Sequence, residues 1–211
     1  MNILINRKYN FFLIFKDKVK ISLTFFLFVL LFTEIQSSEI PKNKVSNFHN
    51  ALIKVNSLEK SFEDRLEIIK KVINQTFNYK KMMQFIYGRK WNKLESNQKN
   101  IMSETFLNFI SATYTKRFHM INGLNFEYLE SKKTDDGMIL INTNLLIPNE
   151  EPVKFKYVFI NEESDWKILD ILINGTISEI ATKKSEYSKI IKSEGVDGLV
   201  KKLSEKTNNL N

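Results

Sequence analysis

Val153-Lys154-Phe155-Lys156-Tyr157-Val158-Phe159-Ile160 sets large apolar side chains against lysines for most of its length. A period of two is the signature of a strand with one face buried. Three further runs share this character. Residues 124–130 place Leu124, Phe126 and Tyr128 against Asn125 and Glu127, and residues 138–147 are apolar and β-branched behind the turn Asp135-Asp136-Gly137. Residues 166–173 follow a polar turn at 161–165. Four such runs joined by brief polar turns predict an antiparallel meander.

The flanks read as helices. Residues 62–77 carry Leu66, Ile69, Val72 and Ile73 at three- and four-residue spacing, and residues 78–87, rich in Met82, Met83, Phe85 and Ile86, close at Gly88. Ser96 reads as the N-cap of a long helix to His119, and shorter helices are expected at 177–191 and 196–203. Helices, then sheet, then helices is an α+β layout: a curved four-stranded antiparallel sheet covered by helices. Twist turns such a sheet into a cone. Phe126, Tyr128, Phe155, Tyr157 and Phe159 point inward in this reading. They either fill the cone as core or line a cavity, and the sequence leaves both open.

Composition narrows the chemistry. The chain has 211 residues, 43% hydrophobic and 27% charged, an ordinary globular balance with 17 Phe against 2 Trp. There is no cysteine, which rules out disulfides, thiol catalysis and Cys-ligated zinc. The two histidines, His49 and His119, lack any partner at ligand spacing, so no metal and no cofactor is expected. No G-x-S-x-G elbow or phosphate-binding G-x-x-x-x-G-K-[ST] loop occurs, and no nucleic-acid-binding pattern is present. Asp170, on the parity of Trp166, Ile168 and Leu172, is the one candidate for a buried general base.

Residues 21–32 are mostly apolar and follow Arg7, Lys8, Lys16, Lys18 and Lys20. This is the basic-then-apolar order of a secretory signal peptide. Residues 1–38 are read as that cleaved segment and 39–211 as a single domain; an uncleaved membrane anchor is the alternative. Without residues 1–38 the chain keeps 27 basic and 22 acidic residues, about +5. The lysine pairs are scattered rather than blocked, as on ordinary solvated faces.

An ordered series of residues resembles a known family. Phe77-Asn78, Gly88-Arg89-Lys90-Trp91, Gln98, Phe106 with Phe109, Tyr114, Pro152 with Tyr157, Trp166-Lys167-Ile168-Leu169-Asp170 and Gly175 are similar to the MlaC, or toluene-tolerance, family. The match runs over roughly residues 40–205. The stretch from Asn174 to Tyr187, with Gly175, Ile177-Ser178-Glu179 and Lys183-Lys184, resembles the branch found beside hopanoid-biosynthesis genes. Asn78 stands where the family commonly has an acidic residue, and Lys183-Lys184 where it has an arginine pair.

The resemblance implies a periplasmic, non-catalytic phospholipid carrier with an NTF2-like cone around an apolar lipid pocket. It implies two partners: an inner-membrane ABC transporter complex with MCE domains, and an outer-membrane lipoprotein and porin complex. On this reading Phe126, Tyr128, Tyr157, Phe159 and Ile168 line the sheet wall of the pocket. Met83, Phe85, Ile86, Phe109 and Tyr114 line its helical wall, and Lys183 and Lys184 sit by a head group or a docking partner. The rival readings are a scaffold with a filled core and a small-molecule enzyme using Asp170.

Overall fold

In the computed structural model, which describes residues 39–211, helix α1 runs over 39–56. The expected signal segment, 1–38, lies outside the described residues. Helix α1 buries Val45, Phe48, Leu52 and Val55, a three- and four-residue spacing that sets them on one face. Helix α2 (Phe62–Thr76) opens at Ser61, whose hydroxyl accepts the Asp64 N–H, and buries Arg65, Ile69, Ile73 and Thr76 along one stripe. The chain then turns at Phe77, which bridges to Ile168. Asn78 caps α3 (Tyr79–Tyr87) by accepting the Lys81 N–H at 3.0 Å. Asn and Asp are equivalent in that role, so the capping function survives the departure at this position.

A 3₁₀ turn (Gly88–Lys93) leads to the 22-residue helix α4 (Ser96–Arg117). Its N-cap is Glu95 rather than Ser96, with the Gln98 side chain accepting the Glu95 N–H. Helix α4 is buried on more than one side, packed against α2, α3 and α6. Its buried hydroxyls on Ser103, Ser111 and Thr115 donate to carbonyls one turn back. That pairing lets polar residues sit in a wrapped helix without an unmade hydrogen bond.

The sheet is an antiparallel meander, β1 (Asn125–Lys133), β2 (Ile139–Leu146), β3 (Val153–Glu162), β4 (Asp165–Ile173) and a two-residue β5 (Ile177–Ser178), hydrogen-bonded in that order. The four expected strands are present, and β5 adds a short fifth. Positive φ at both Glu163 and Ser164 makes the β3–β4 connection a tight two-residue hairpin turn. The edge strand β1 is largely exposed and carries Glu127, Glu130, Lys132 and Lys133, a charge load that discourages pairing with other chains. Helices α5 (Glu179–Ser193) and α6 (Gly195–Asn208) complete the roof, and Pro41–Asn211 forms one compact unit.

Two bulges bend the sheet. Leu129 is the extra residue on β1, between the pairs Tyr128–Thr143 and Glu130–Asn142. Leu169 is the extra residue on β4, between Val158–Asp170 and Phe159–Ile168. An inserted residue reverses the parity of everything after it. Trp166 and Ile168 are therefore buried before the bulge and Ile171 after it.

Asp170 consequently leaves the face of Ile168, contrary to the parity read from sequence. Its carboxylate accepts the Ile171 N–H at 2.8 Å, the Ile180 N–H at 3.1 Å and the Ser178 hydroxyl. Ser178 in turn accepts the Ala181 N–H as the N-cap of α5. Hydrogen bonds to a charged group contribute about 1.5–3 kcal/mol each in favourable settings. Asp170→Ala is expected to lower unfolding stability by about 3 kcal/mol, read as a reduced denaturant midpoint at unchanged slope. A loss below about 0.5 kcal/mol would show that the corner does not depend on this carboxylate.

Candidate functional site

A partly open cavity of about 360 Å³ lies between the helical roof and the sheet. Met82 and Ile86 of α3, four residues apart, form one side. Helix α4 contributes Phe106, Phe109, Ile110, Thr113 and Tyr114, and the sheet supplies Leu145, Val153, Phe155, Ile171 and Ile173. Ile147, Phe118 and Ile121 extend the apolar wall, Phe77 lies at its base, and Ile180 closes the α5 side. Only three of the lining residues are charged: Arg117, Glu179 and Lys183. Arg117 is exposed while Glu179 and Lys183 are half-buried, so the charges gather where the cavity meets solvent.

Below the cavity an aromatic cluster holds the layers apart. The Phe48 ring meets Phe77, Tyr114 and Tyr157 edge-on at centroid distances of 5.0, 5.1 and 6.5 Å. Such T-shaped contacts are favoured by the ring quadrupoles. Beside it His49 stacks on Phe126 at 3.8 Å, and its Nε2 lies 2.8 Å from the Tyr157 hydroxyl. Burial pushes the His49 pKa down to about 3, because a charged imidazole there would lose its hydration. Burial likewise pushes the pKa of the Tyr114 and Tyr157 hydroxyls upward, so both stay neutral.

The residues expected from sequence to line a pocket divide clearly. Ile86, Phe109, Tyr114 and Lys183 are in the cavity wall. Met83, Phe159 and Ile168 are wholly buried in the core, and Tyr157 is engaged with His49 beneath the cavity. Phe126 packs on His49 away from the lining. Phe85 is 45% exposed on the outer side of α3. Tyr128 is 39% exposed, with the Lys42 ammonium 4.7 Å from its ring centre. Lys184 lies beside Gly88, outside the wall.

Sequence reasoning did not single out Met82, Ile110, Arg117, Leu145 or Val153 as site residues. Met82 could have been found from its i, i+4 relation to Ile86, and Ile110 from its place beside Phe109 and Tyr114. Ile171 and Ile173 required the bulge at Leu169, which no turn residue announces. Asp170 is absent from the lining, and the described residues contain no group of three potential metal ligands.

A curved antiparallel sheet roofed by helices, with an apolar cavity and a small charged lip, defines a class of fold built around a buried apolar space. A family model described as MlaC protein matches residues 43–205, more than three quarters of the chain, and the chain belongs to the MlaC family. Among solved structures, one of a phospholipid-binding protein from Ralstonia solanacearum, in complex with a phospholipid, superposes with a TM-score of 0.68. The two chains are 22% identical over 80% of this one and 95% of that one, a level at which the likeness is one of fold.

His49 gives the frame a measurable pH signature. The folded state holds the imidazole neutral down to about pH 3, whereas an unfolded chain binds the proton near pH 6.5. Between those values the unfolded state carries one more proton, so stability falls as pH falls, by up to about 1.4 kcal/mol per unit. Denaturant unfolding from pH 6.5 to 5 should show a loss of about 2 kcal/mol that is absent in His49→Gln. Parallel slopes in the two proteins would mean that the imidazole is hydrated or charged in the fold.

Proposed function

We propose that this protein is a periplasmic lipid carrier that shelters acyl chain in the cavity between α4, α5 and the sheet. The observation that carries this reading is the cavity itself, about 360 Å³ walled almost entirely by Phe, Ile, Leu, Val and Met. At about 30 Å³ for a methylene-sized group, the share of one water in the liquid, it holds roughly a dozen chain carbons. Each methylene removed from water gains about 0.8 kcal/mol, so a lipid does not cross an aqueous space unaided. Family membership and the phospholipid-bound relative of like fold support the same reading.

Export through the 1–38 segment fits a carrier working between two membranes. The finer reading is of passage between an inner-membrane transporter with MCE domains and an outer-membrane lipoprotein and porin complex. The scaffold alternative expects an interior filled by its own side chains, and the open cavity counts against it. The enzyme alternative expects Asp170 in the cavity, but that carboxylate is occupied by three donors at the β4–α5 corner.

Protein purified from periplasm without detergent, extracted with organic solvent and analysed by mass spectrometry, is expected to yield lipid at near-stoichiometric amounts. Thr113 is half-buried in the wall, and Thr113→Trp should reduce co-purified lipid at least fivefold while the melting temperature moves by only a few degrees. Folded wild-type protein free of lipid, and unable to take up a fluorescent acyl probe, would overturn the carrier reading.

A further inference from the structure

Two spaces meet at one residue. Phe77 lies at the base of the apolar cavity and also borders a separate cleft of about 640 Å³ at the α2–α3 corner. Among the described residues it is the one common to both linings. The cleft is polar, with Asn74, Asn78, Glu162, Asp165 and Lys167 in its wall. Its charges are paired, Lys81 with Glu162 and Lys167 with Asp165. Phe77 is only 2% exposed although it borders both spaces, so it is the partition between them.

The partition is held in place from several sides. The Phe77 N–H donates to the Ile73 carbonyl at 2.8 Å, and the next N–H, of Asn78, donates to the Ile168 carbonyl at 2.9 Å. These two bonds pin the backbone between α2 and β4. The Phe48 ring meets Phe77 edge-on at 5.0 Å, and the Tyr114 ring lies 6.3 Å from it. A close-packed ring between two others has little space to turn aside. Past it, a chain end would meet hydrated ion pairs and lose the apolar surroundings that draw it into the cavity.

On the carrier reading, we infer that Phe77 is the depth stop of the cavity and fixes the longest stretch of acyl chain the protein shelters. Each methylene above Phe77 exchanges water for an apolar wall and strengthens binding. Carbons beyond the capacity of the cavity, roughly a dozen at about 30 Å³ each, stay at the mouth in water and add nothing. Phe77 thereby reads length, where the walls read only apolarity.

The test measures how saturated fatty acids of graded length displace a fluorescent acyl probe from delipidated protein. Wild-type affinity should rise about fourfold per methylene and level off at a limiting length, about twelve carbons. Phe77→Ala should carry the rise on by about three further carbons, the room left by the ring, and the milder Phe77→Leu by about one. A substitution that merely loosens the fold weakens every length alike and does not move the limit. A second measurement uses unaltered protein and a fatty acid of the limiting length with a diazirine on its terminal carbon. On illumination, the label should fall on the tryptic peptide 72–80, which contains Phe77. The inference falls if wild-type affinity shows no limit, if a bound probe is displaced at no length, or if folded variants keep the wild-type limit. It falls equally if the label is confined to peptides of the lip. Folded wild type that binds neither the fatty acids nor the probe would instead remove the carrier reading on which the inference rests.

Discussion

An apolar space left open inside a small domain works against the fold, and the aromatic wedge beneath it is what keeps it open. By the scale of about 24 cal/mol per Å³ for cavities left by core truncations, 360 Å³ would cost on the order of 9 kcal/mol if sealed and dry. That is the size of a whole domain's stability. Phe48, Phe77, Tyr114 and Tyr157 interlock at the base of the cavity, and the His49–Tyr157 hydrogen bond ties α1 to β3 across the same layer. Rigid rings in contact cannot be compressed to let α4 settle onto the sheet. The polar pair inside this wedge is affordable because each partner satisfies the other and the imidazole stays neutral.

A single inserted residue then determines what the sheet offers to that space. Leu169 reverses the parity of β4, which turns Ile171 and Ile173 into the wall and turns Asp170 out of it. The displaced carboxylate becomes the fastening of α5, the helix that brings Ile180, Glu179 and Lys183 to the lip. The bulge thus couples wall and lip. A β4 without it would present Asp170 and Leu172 inward and leave the start of α5 without its anion.

Most of the element plan was legible in the sequence because those elements follow a period. The alternation in 153–160 and the Asp-Asp-Gly turn at 135–137 mark strands and their connections without reference to the rest of the chain. The site was legible only in part, because membership in a cavity wall depends on where two layers diverge. Phe155 and Tyr157 share a face and stand about 7 Å apart along β3, yet one lines the cavity and the other is locked to His49. Phe85 and Ile86 are neighbours in sequence on α3, yet one is exposed and the other buried, and a Met-rich helix with apolar residues on several faces does not declare which face is inner. Arg117 reads as an ordinary last-turn cation, and nothing in its local sequence marks it as part of the cavity wall.

What distinguishes one lipid from another at such a site follows from which terms cancel. Moving an acyl chain from a bilayer into an apolar wall exchanges one hydrocarbon environment for another, so the large gain measured against water mostly disappears from the transfer balance. That cancellation is what lets a carrier release its cargo, and Met82 in the wall adds tolerance for irregular chains. It also means that one methylene more or less discriminates weakly. Polar contacts do not cancel, because a head group that leaves the membrane surface must be solvated again by water or by the protein. A charged side chain where the cavity meets solvent changes that term by more than a single apolar contact can. Selectivity is therefore concentrated at the few charged positions where the cavity meets solvent, while the many apolar ones set capacity.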